Sequence, residues 1–358
     1  MFYTKLGRTD MMVSRIGIGG ASFGGVWIEK EVTAPEETLI YALNRGINYI
    51  DTAPWYGERK SEKIIGNIIK DIDRSNIYLA TKVGRYKYSP IDKMFDFSYN
   101  KTIKSITKSM SLLNTNYLDL VQIHDPEFAP NAQVVINGAL RALDDMRRHG
   151  HISYIGLTGY GFDRQKEILE GAKKVGIDIH TSLTYGRVTL HDRSGIDFMK
   201  EIADPDTAIG GGVATINASA MGMGLYTPQG PPEWFSKLCP EALKDYAKHL
   251  TSIAIEEDLD ISRIALSYSC MNTQQLVTNT FYKDKEEEQY ICPMTLISCM
   301  SPKIIDENII NSDLSTIDMH ESEFMKYYLT EQYNWKGVEV NKYFTKLGKY
   351  MAEKYLHK

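Results

Sequence analysis

The stretch Asn48-Tyr49-Ile50-Asp51-Thr52-Ala53-Pro54-Trp55-Tyr56-Gly57 decides how this chain is read. An apolar run ends on a single acid, and Pro54 and Gly57 then break the pattern as a strand end does. The same device recurs downstream in Leu79-Ala80-Thr81-Lys82, in Leu120-Val121-Gln122-Ile123-His124-Asp125 and in Ile155-Gly156-Leu157-Thr158-Gly159. Asp51, Lys82 and His124, with Tyr56 in the loop above the first of them, can meet only where parallel strands share a carboxyl edge. That edge is where barrels and open α/β sheets place their chemistry.

Outward from these four segments, short apolar runs alternate with longer amphipathic ones. Strands are predicted over 15–21, 48–52, 77–82, 118–124, 152–158, 178–183, 213–219 and 295–299. Helices are predicted over 35–46, 60–72, 98–113, 132–149, 162–175, 193–203, 240–272 and 302–312. Thr33 reads as an N-cap with Pro35 and acids in the first turn, and Gly46, Gly150 and Gly176 read as helix stops. Eight strand–helix units in strict alternation predict one (β/α)8 TIM barrel rather than an open sheet. Residues 1–313 would form it, with a hairpin of residues 2–6 and 11–13 plugging its bottom. Residues 314–358 would form a C-terminal helical extension packed on it. Residues 281–293 carry the charge run Lys283-Asp284-Lys285-Glu286-Glu287-Glu288 and read as an insertion before the last strand. A helix-to-strand connection belongs on the face opposite the catalytic mouth.

Composition narrows the function classes. The 358 residues are 43% hydrophobic and 24% charged, with a net charge of −5. That balance suits a globular domain and gives no pull toward nucleic acid or an anionic membrane. No apolar stretch approaches the length of a membrane span, and the N-terminus lacks a leader pattern, so a cytoplasmic protein is expected. Cys239, Cys270, Cys292 and Cys299 form no C-x-x-C pair, so neither a disulfide framework nor a zinc site is suggested. The tail from 342 to 358 spaces Tyr343, Leu347, Tyr350 and Met351 near helical period, as expected for a helix packing on the barrel or on a partner chain.

The polar strand ends carry a specific chemistry. A free phenol titrates near 10 and is a poor acid at neutral pH. A neighbouring ammonium favours its ionised form. Lys82 would supply that ammonium to Tyr56, Asp51 would hold the ammonium in a partly buried cleft, and His124 would orient a carbonyl oxygen. Taken singly each residue has a plainer role: Asp51 in a turn, Tyr56 packing on Trp55, Lys82 snorkelling, His124 hydrogen-bonded in a core. Their joint placement at consecutive strand ends favours the catalytic set.

The motifs D-T-A-x-x-Y-G-x-x-x-x-S-E-x-x-I-G (Asp51 to Gly66), A-T-K (Ala80 to Lys82) and Q-I-H (Gln122 to His124) resemble those of the aldo-keto reductase superfamily, over roughly residues 1–312. That family's catalytic tetrad falls on Asp51, Tyr56, Lys82 and His124 without substitution. The run from Ile216 to Leu225 and Gln229-Gly230-Pro231-Pro232-Glu233-Trp234 is similar to the L-galactose dehydrogenase-like branch. So is Thr158-Gly159, where most of the superfamily has Ser-Asn to hold the nicotinamide carboxamide.

The resemblance implies a nicotinamide-dependent oxidoreductase acting on an aldehyde, ketone or aldose. Gly20 and Ala21, Thr158, Ser219, Met221 and Gly222, and Ser301, Glu307 and Asn308 would bind the cofactor. Ala218 stands where many relatives stack a ring on nicotinamide, which leaves Tyr185 as the candidate for that contact. Relatives that bind a 2′-phosphate carry Lys or Arg at the positions of Ser298 and Ile304, so NAD is favoured over NADP. Trp27, Trp55 and Asp125 would line the substrate pocket. No metal is implied, no nucleic acid or membrane partner is expected, and a homo-oligomer is left open. The rival is a non-catalytic regulatory barrel of the same fold that binds a partner protein.

Overall fold

The computed structural model describes residues 1–26, 32–87, 93–204, 206–207, 209, 211–271, 294–298 and 300–312. Trp27, the insertion at 281–293 and the extension from 314 to 358 lie outside the described residues. Eight parallel strands close into a barrel: β3 (Ile16–Gly19), β4 (Tyr49–Asp51), β5 (Tyr78–Val83), β6 (Leu118–His124), β7 (Ile152–Gly159), β8 (Thr181–Tyr185), β9 (Ala214–Ala218) and β10 (Met294–Ser298). β10 pairs with both β9 and β3, so no edge remains. The antiparallel hairpin β1 (Tyr3–Lys5) and β2 (Met12–Ser14) lies against the strand starts. Met12 N donates to Tyr78 Oη and Asp10 N to Tyr154 Oη. Leu6, Met11 and Val13 fill the barrel's interior together with Tyr49, Ala80 and Leu120.

Period-two alternation fixes what faces in. Tyr49, Ala80 and Leu120 belong to the inner cluster, whereas Ile50, Leu79, Val121 and Ile123 pack outward on the helices. Asp51, Lys82, Gln122 and His124 share the inward parity and sit one or two steps nearer the carboxyl edge. Outside the barrel lie α1 (Pro35–Asn44), α2 (Lys60–Ile69), α3 (Tyr99–Leu112), α4 (Ala132–Val135), α5 (Arg141–Arg148), α6 (Phe162–Lys174), α7 (Ser194–Ala203), the short α8 (Glu233–Ser236), α9 (Glu241–Glu256), α10 (Ile261–Met271) and α11 (Pro302–Asn311).

The glycine stops hold, since Gly46, Gly150 and Gly176 all adopt left-handed backbone. Other boundaries differ from expectation for physical reasons. α1 starts from Ala34 without a side-chain cap, although Pro35 does occupy its first turn. The helix expected over 240–272 is two: Asp258 turns left-handed and Asp260 accepts from Ser262 N at 2.8 Å, ending one helix and starting the next. α4 and α5 are joined by a π-helical turn, Ile136–Leu140, where Gly138 lies so near the Phe97 carbonyl that a Cβ would sit 2.2 Å from it. β8 begins at Thr181 rather than 178, because its ladder with β7 and β9 starts at Gly156 and Ala214.

Candidate active site

Adjacent strands deliver the charged centre. Lys82 Nζ contacts Asp51 Oδ1 and donates to the Thr52 carbonyl at 2.9 Å. Gln122 Nε2 donates to Asp51 Oδ2 at 2.7 Å, so both carboxylate oxygens are engaged. Asp51 and Lys82 are each about 1% exposed, and a buried pair is stable only when its remaining polar atoms are met in this way. Tyr56 enters from the loop above β4. Gly57, Glu58 and Arg59 take left-handed backbone in succession, and Gly24 lies so close that a Cβ there would meet the Tyr56 carbonyl carbon at 2.5 Å. The phenol ring so fixed has the Lys82 ammonium 4.9 Å from its centroid and the His124 ring 6.1 Å away, edge to face.

The segment after α2's start explains the rest of the long motif. Ser61 Oγ donates to the Gly20 carbonyl at 2.7 Å and lies 2.8 Å from Thr52 Oγ1. The fully buried Glu62 accepts from Thr81 Oγ1 and from Arg59, each at 2.8 Å. These contacts lock the ends of β3, β4 and β5 beside one another.

Electrostatics of the site differ from the sequence expectation at one residue. Lys82 was expected to lower Tyr56. Instead burial pushes the phenol well above its ordinary value, the carboxylates of Asp51 and Asp125 add to that, and Arg85 pulls it back. Burial, Lys82 and Arg85 together hold His124 well below an ordinary imidazole, so it stands neutral. Burial also raises Asp51, with Lys82 and Gln122 opposing.

A cleft of about 620 Å³ opens above these groups and runs across the barrel mouth to α11. Asp51, Tyr56, His124, Trp55 and Asp125 line one end; Ala21, Thr158, Ser219 and Met221 line its middle; Glu307 and Asn308 line the other end. Tyr185 lines it too, paired in register with Ala218. Three expected cofactor residues stand just behind the wall. Gly20 packs on β4, donating to the Asp51 carbonyl at 2.7 Å. Gly222 turns the loop with left-handed backbone beside His191 and Tyr226. Ser301 caps α11, its Oγ accepting from Ile304 N at 3.3 Å. At the Ser298–Ile304 end no basic side chain among the described residues lines the cleft, and Lys303 is 85% exposed, 3.7 Å from Glu307. A nicotinamide dinucleotide fits a cleft so lined. Among the described residues no cluster is placed to hold a metal ion, and no helix is long and apolar enough to cross a membrane.

Four residues were not singled out as functional from sequence. Gln122 holds Asp51, and its signal was its position two residues before His124 on one strand face. Arg85 is brought back under the mouth by the left-handed Gly84 and reaches Asp125 Oδ2 at 2.5 Å. Tyr160 N donates to Glu127 Oε1 at 2.7 Å, and burial with the nearby Asp125 charge raises Glu127 to about 8. A Cβ at Gly159 would lie 2.6 Å from Glu127 Oε2, so Glu127 fills the space a side chain at 159 would need.

Residues 15–310 match the model of the aldo/keto reductase family. The chain belongs to this family of nicotinamide-dependent oxidoreductases. It is similar to L-galactose dehydrogenase of Arabidopsis thaliana, at 33% identity over 75% of this chain and 80% of that protein. It is 27% identical to D-arabinose 1-dehydrogenase of Saccharomyces cerevisiae, over 72% of this chain and 75% of that one. Among solved structures, an aldo-keto reductase from Bacillus halodurans in its holo form superposes with a TM-score of 0.68 at 20% identity, covering 92% of this chain and 96% of that one.

Proposed function

We propose that this aldo/keto reductase family member is an NAD-dependent aldose dehydrogenase that works at the anomeric carbon of a sugar. The observation that carries this is the buried Asp51–Lys82 pair under the Tyr56 and His124 rings, at the end of a cleft that continues to Glu307 and Asn308. A nicotinamide dinucleotide held along this cleft would supply or accept the hydride. Tyr56 gives its proton to the carbonyl oxygen in reduction and, ionised, takes the hydroxyl proton in oxidation. The neutral His124 donates to the same oxygen, and Asp51 anchors Lys82 beneath it.

Trp55 and Asp125 suit a sugar, with an indole for its C–H face and a carboxylate for its hydroxyls. Both named relatives are sugar dehydrogenases, which supports this class. The lack of basic side chains at the α11 end of the described cleft supports NAD over NADP, since a 2′-phosphate calls for charge-assisted bonds. Assays with L-galactose, D-arabinose and simple aldehydes, each with both dinucleotides, test the proposal. NAD should bind about tenfold more tightly than NADP by fluorescence titration. Tighter binding of NADP would overturn the cofactor assignment. Firm NAD binding with no turnover of any sugar or aldehyde would favour a regulatory barrel instead.

A further inference from the structure

Arg85 is fully buried directly beneath the catalytic mouth, three residues past Lys82. Its guanidinium carbon lies 3.6 Å from the centre of the Trp55 ring, and its Nη1 donates to Asp125 Oδ2 at 2.5 Å. The same Asp125 oxygen lies 3.8 Å from His124 Nε2. Asp125 itself takes left-handed backbone, with φ of 52°, and donates its N–H to the Thr158 carbonyl at 2.7 Å. A non-glycine residue stays in that region only where its surroundings hold it there. Among the described residues buried Arg85 Nε has no hydrogen-bond partner, and the guanidinium plane is met by the indole face.

We propose that Arg85 is a positioning residue for the reaction: one buried guanidinium, stacked under Trp55, fixes the Asp125 carboxylate at the substrate end of the cleft and supplies positive charge toward His124. The proposal rests on the oxidoreductase assignment and extends it to a residue that does not line the cleft. Around His124 stand Lys82 from β5, Tyr56 and Trp55 from the loop above β4, Arg85 after β5 and the adjacent Asp125, while Asp51 reaches this group through Lys82 and Glu127 and Tyr160 through Asp125. Among them Lys82 and Arg85 are the cations that disfavour a protonated imidazole. Lys82 is matched by Asp51, and Arg85 by Asp125. A lysine at 85 would keep the charge but lose the planar stack and fork.

The test uses Arg85→Met and Arg85→Lys in the full chain. With Arg85→Met, KM for the sugar should rise roughly tenfold or more, because the carboxylate at the cleft wall loses its charged partner. NAD affinity should stay within about threefold, since the change lies at the substrate end. The acidic limb of the kcat/KM profile should move to higher pH, and so should the His124 imidazole titration followed by NMR. Arg85→Lys should raise KM while leaving that titration where it is. The NMR arm needs no turnover, so it separates failure of this proposal from failure of the sugar assignment. A wild-type KM and an unmoved His124 titration in folded Arg85→Met would overturn the proposal. Should Arg85→Met fail to fold, a wild-type KM in Arg85→Lys would overturn it alone.

Discussion

At the scale of the residue, the proposed reaction has Tyr56 carry the proton, and its neighbours decide when it can. Burial and the Asp51 and Asp125 carboxylates keep the phenol protonated through the neutral range, which suits an acid in reduction. Oxidation needs the phenolate, so its rate should climb as pH rises while the rate of reduction does not. Tyr56→Phe removes the group and leaves the packing. Turnover should drop roughly 10²- to 10⁴-fold in both directions with NAD affinity unchanged. Stopped-flow rates with fluorescence titration check both statements, and activity within a few-fold of wild type would discard the mechanism. Asp51, Lys82 and His124 were legible because each stands at or next to a strand's end on the inward parity, with Tyr56 in the loop just above the first. Arg85 and Glu127 were not, because their positions follow from backbone turns at Gly84 and Asp125 that no periodicity announces. Even at Tyr56 the direction of the shift was missed, since sequence cannot say how deeply the phenol is buried.

At the scale of the element, α2 shows how a motif can be structural and serve chemistry. Its first turn ties three strand ends through Ser61 and Glu62, and its Gly66 lets α3 approach. A Cβ at 66 would sit 2.0 Å from the Leu112 carbonyl oxygen, and Asn114 Nδ2 donates to the Gly66 carbonyl at 2.9 Å. Gly66→Ala must therefore push α2 off the end of α3, with a cost of about 1–3 kcal/mol. Chemical denaturation should register that loss. kcat per folded molecule should change little, because the clash is with α3, more than one helical turn past Ser61. A stability equal to wild type would mean that the two helices slide apart freely. Helices and strands of this barrel were readable because two-sided burial writes long apolar runs and glycine stops. The break between α9 and α10 was not, because Asp258 and Asp260 sit in an otherwise continuous amphipathic pattern.

At the scale of the whole molecule, the two apolar layers outside the barrel's interior do different work. One lies between the barrel and its helices; the other gathers Trp55, Tyr160, Leu190, Tyr226 and Trp234 over the mouth. His191 sits in that second layer, with Nδ1 3.1 Å from Thr189 Oγ1 and 3.2 Å from Tyr226 Oη, and so joins the loop after β8 to the loop after β9. Sequence could not assign it, because the layer is assembled from loops rather than from periodic elements. Burial and the Arg187 charge lower His191 to about 3 from 6.5. Above pH 6.5 it is neutral in both folded and unfolded chains and adds no pH dependence. Between 6.5 and 3 the unfolded chain takes up a proton that the folded chain refuses. Stability then falls with pH by up to about 1.4 kcal/mol per unit from this group alone. His191→Gln keeps a polar partner for Tyr226 but cannot titrate. Its unfolding free energy, measured in urea from pH 7.5 to 4.5, should therefore fall less steeply than that of wild type, with the two curves parallel above pH 6.5. Equal slopes below that point would show that His191 binds its proton in the folded chain as readily as in the unfolded one, and that the layer over the mouth admits water.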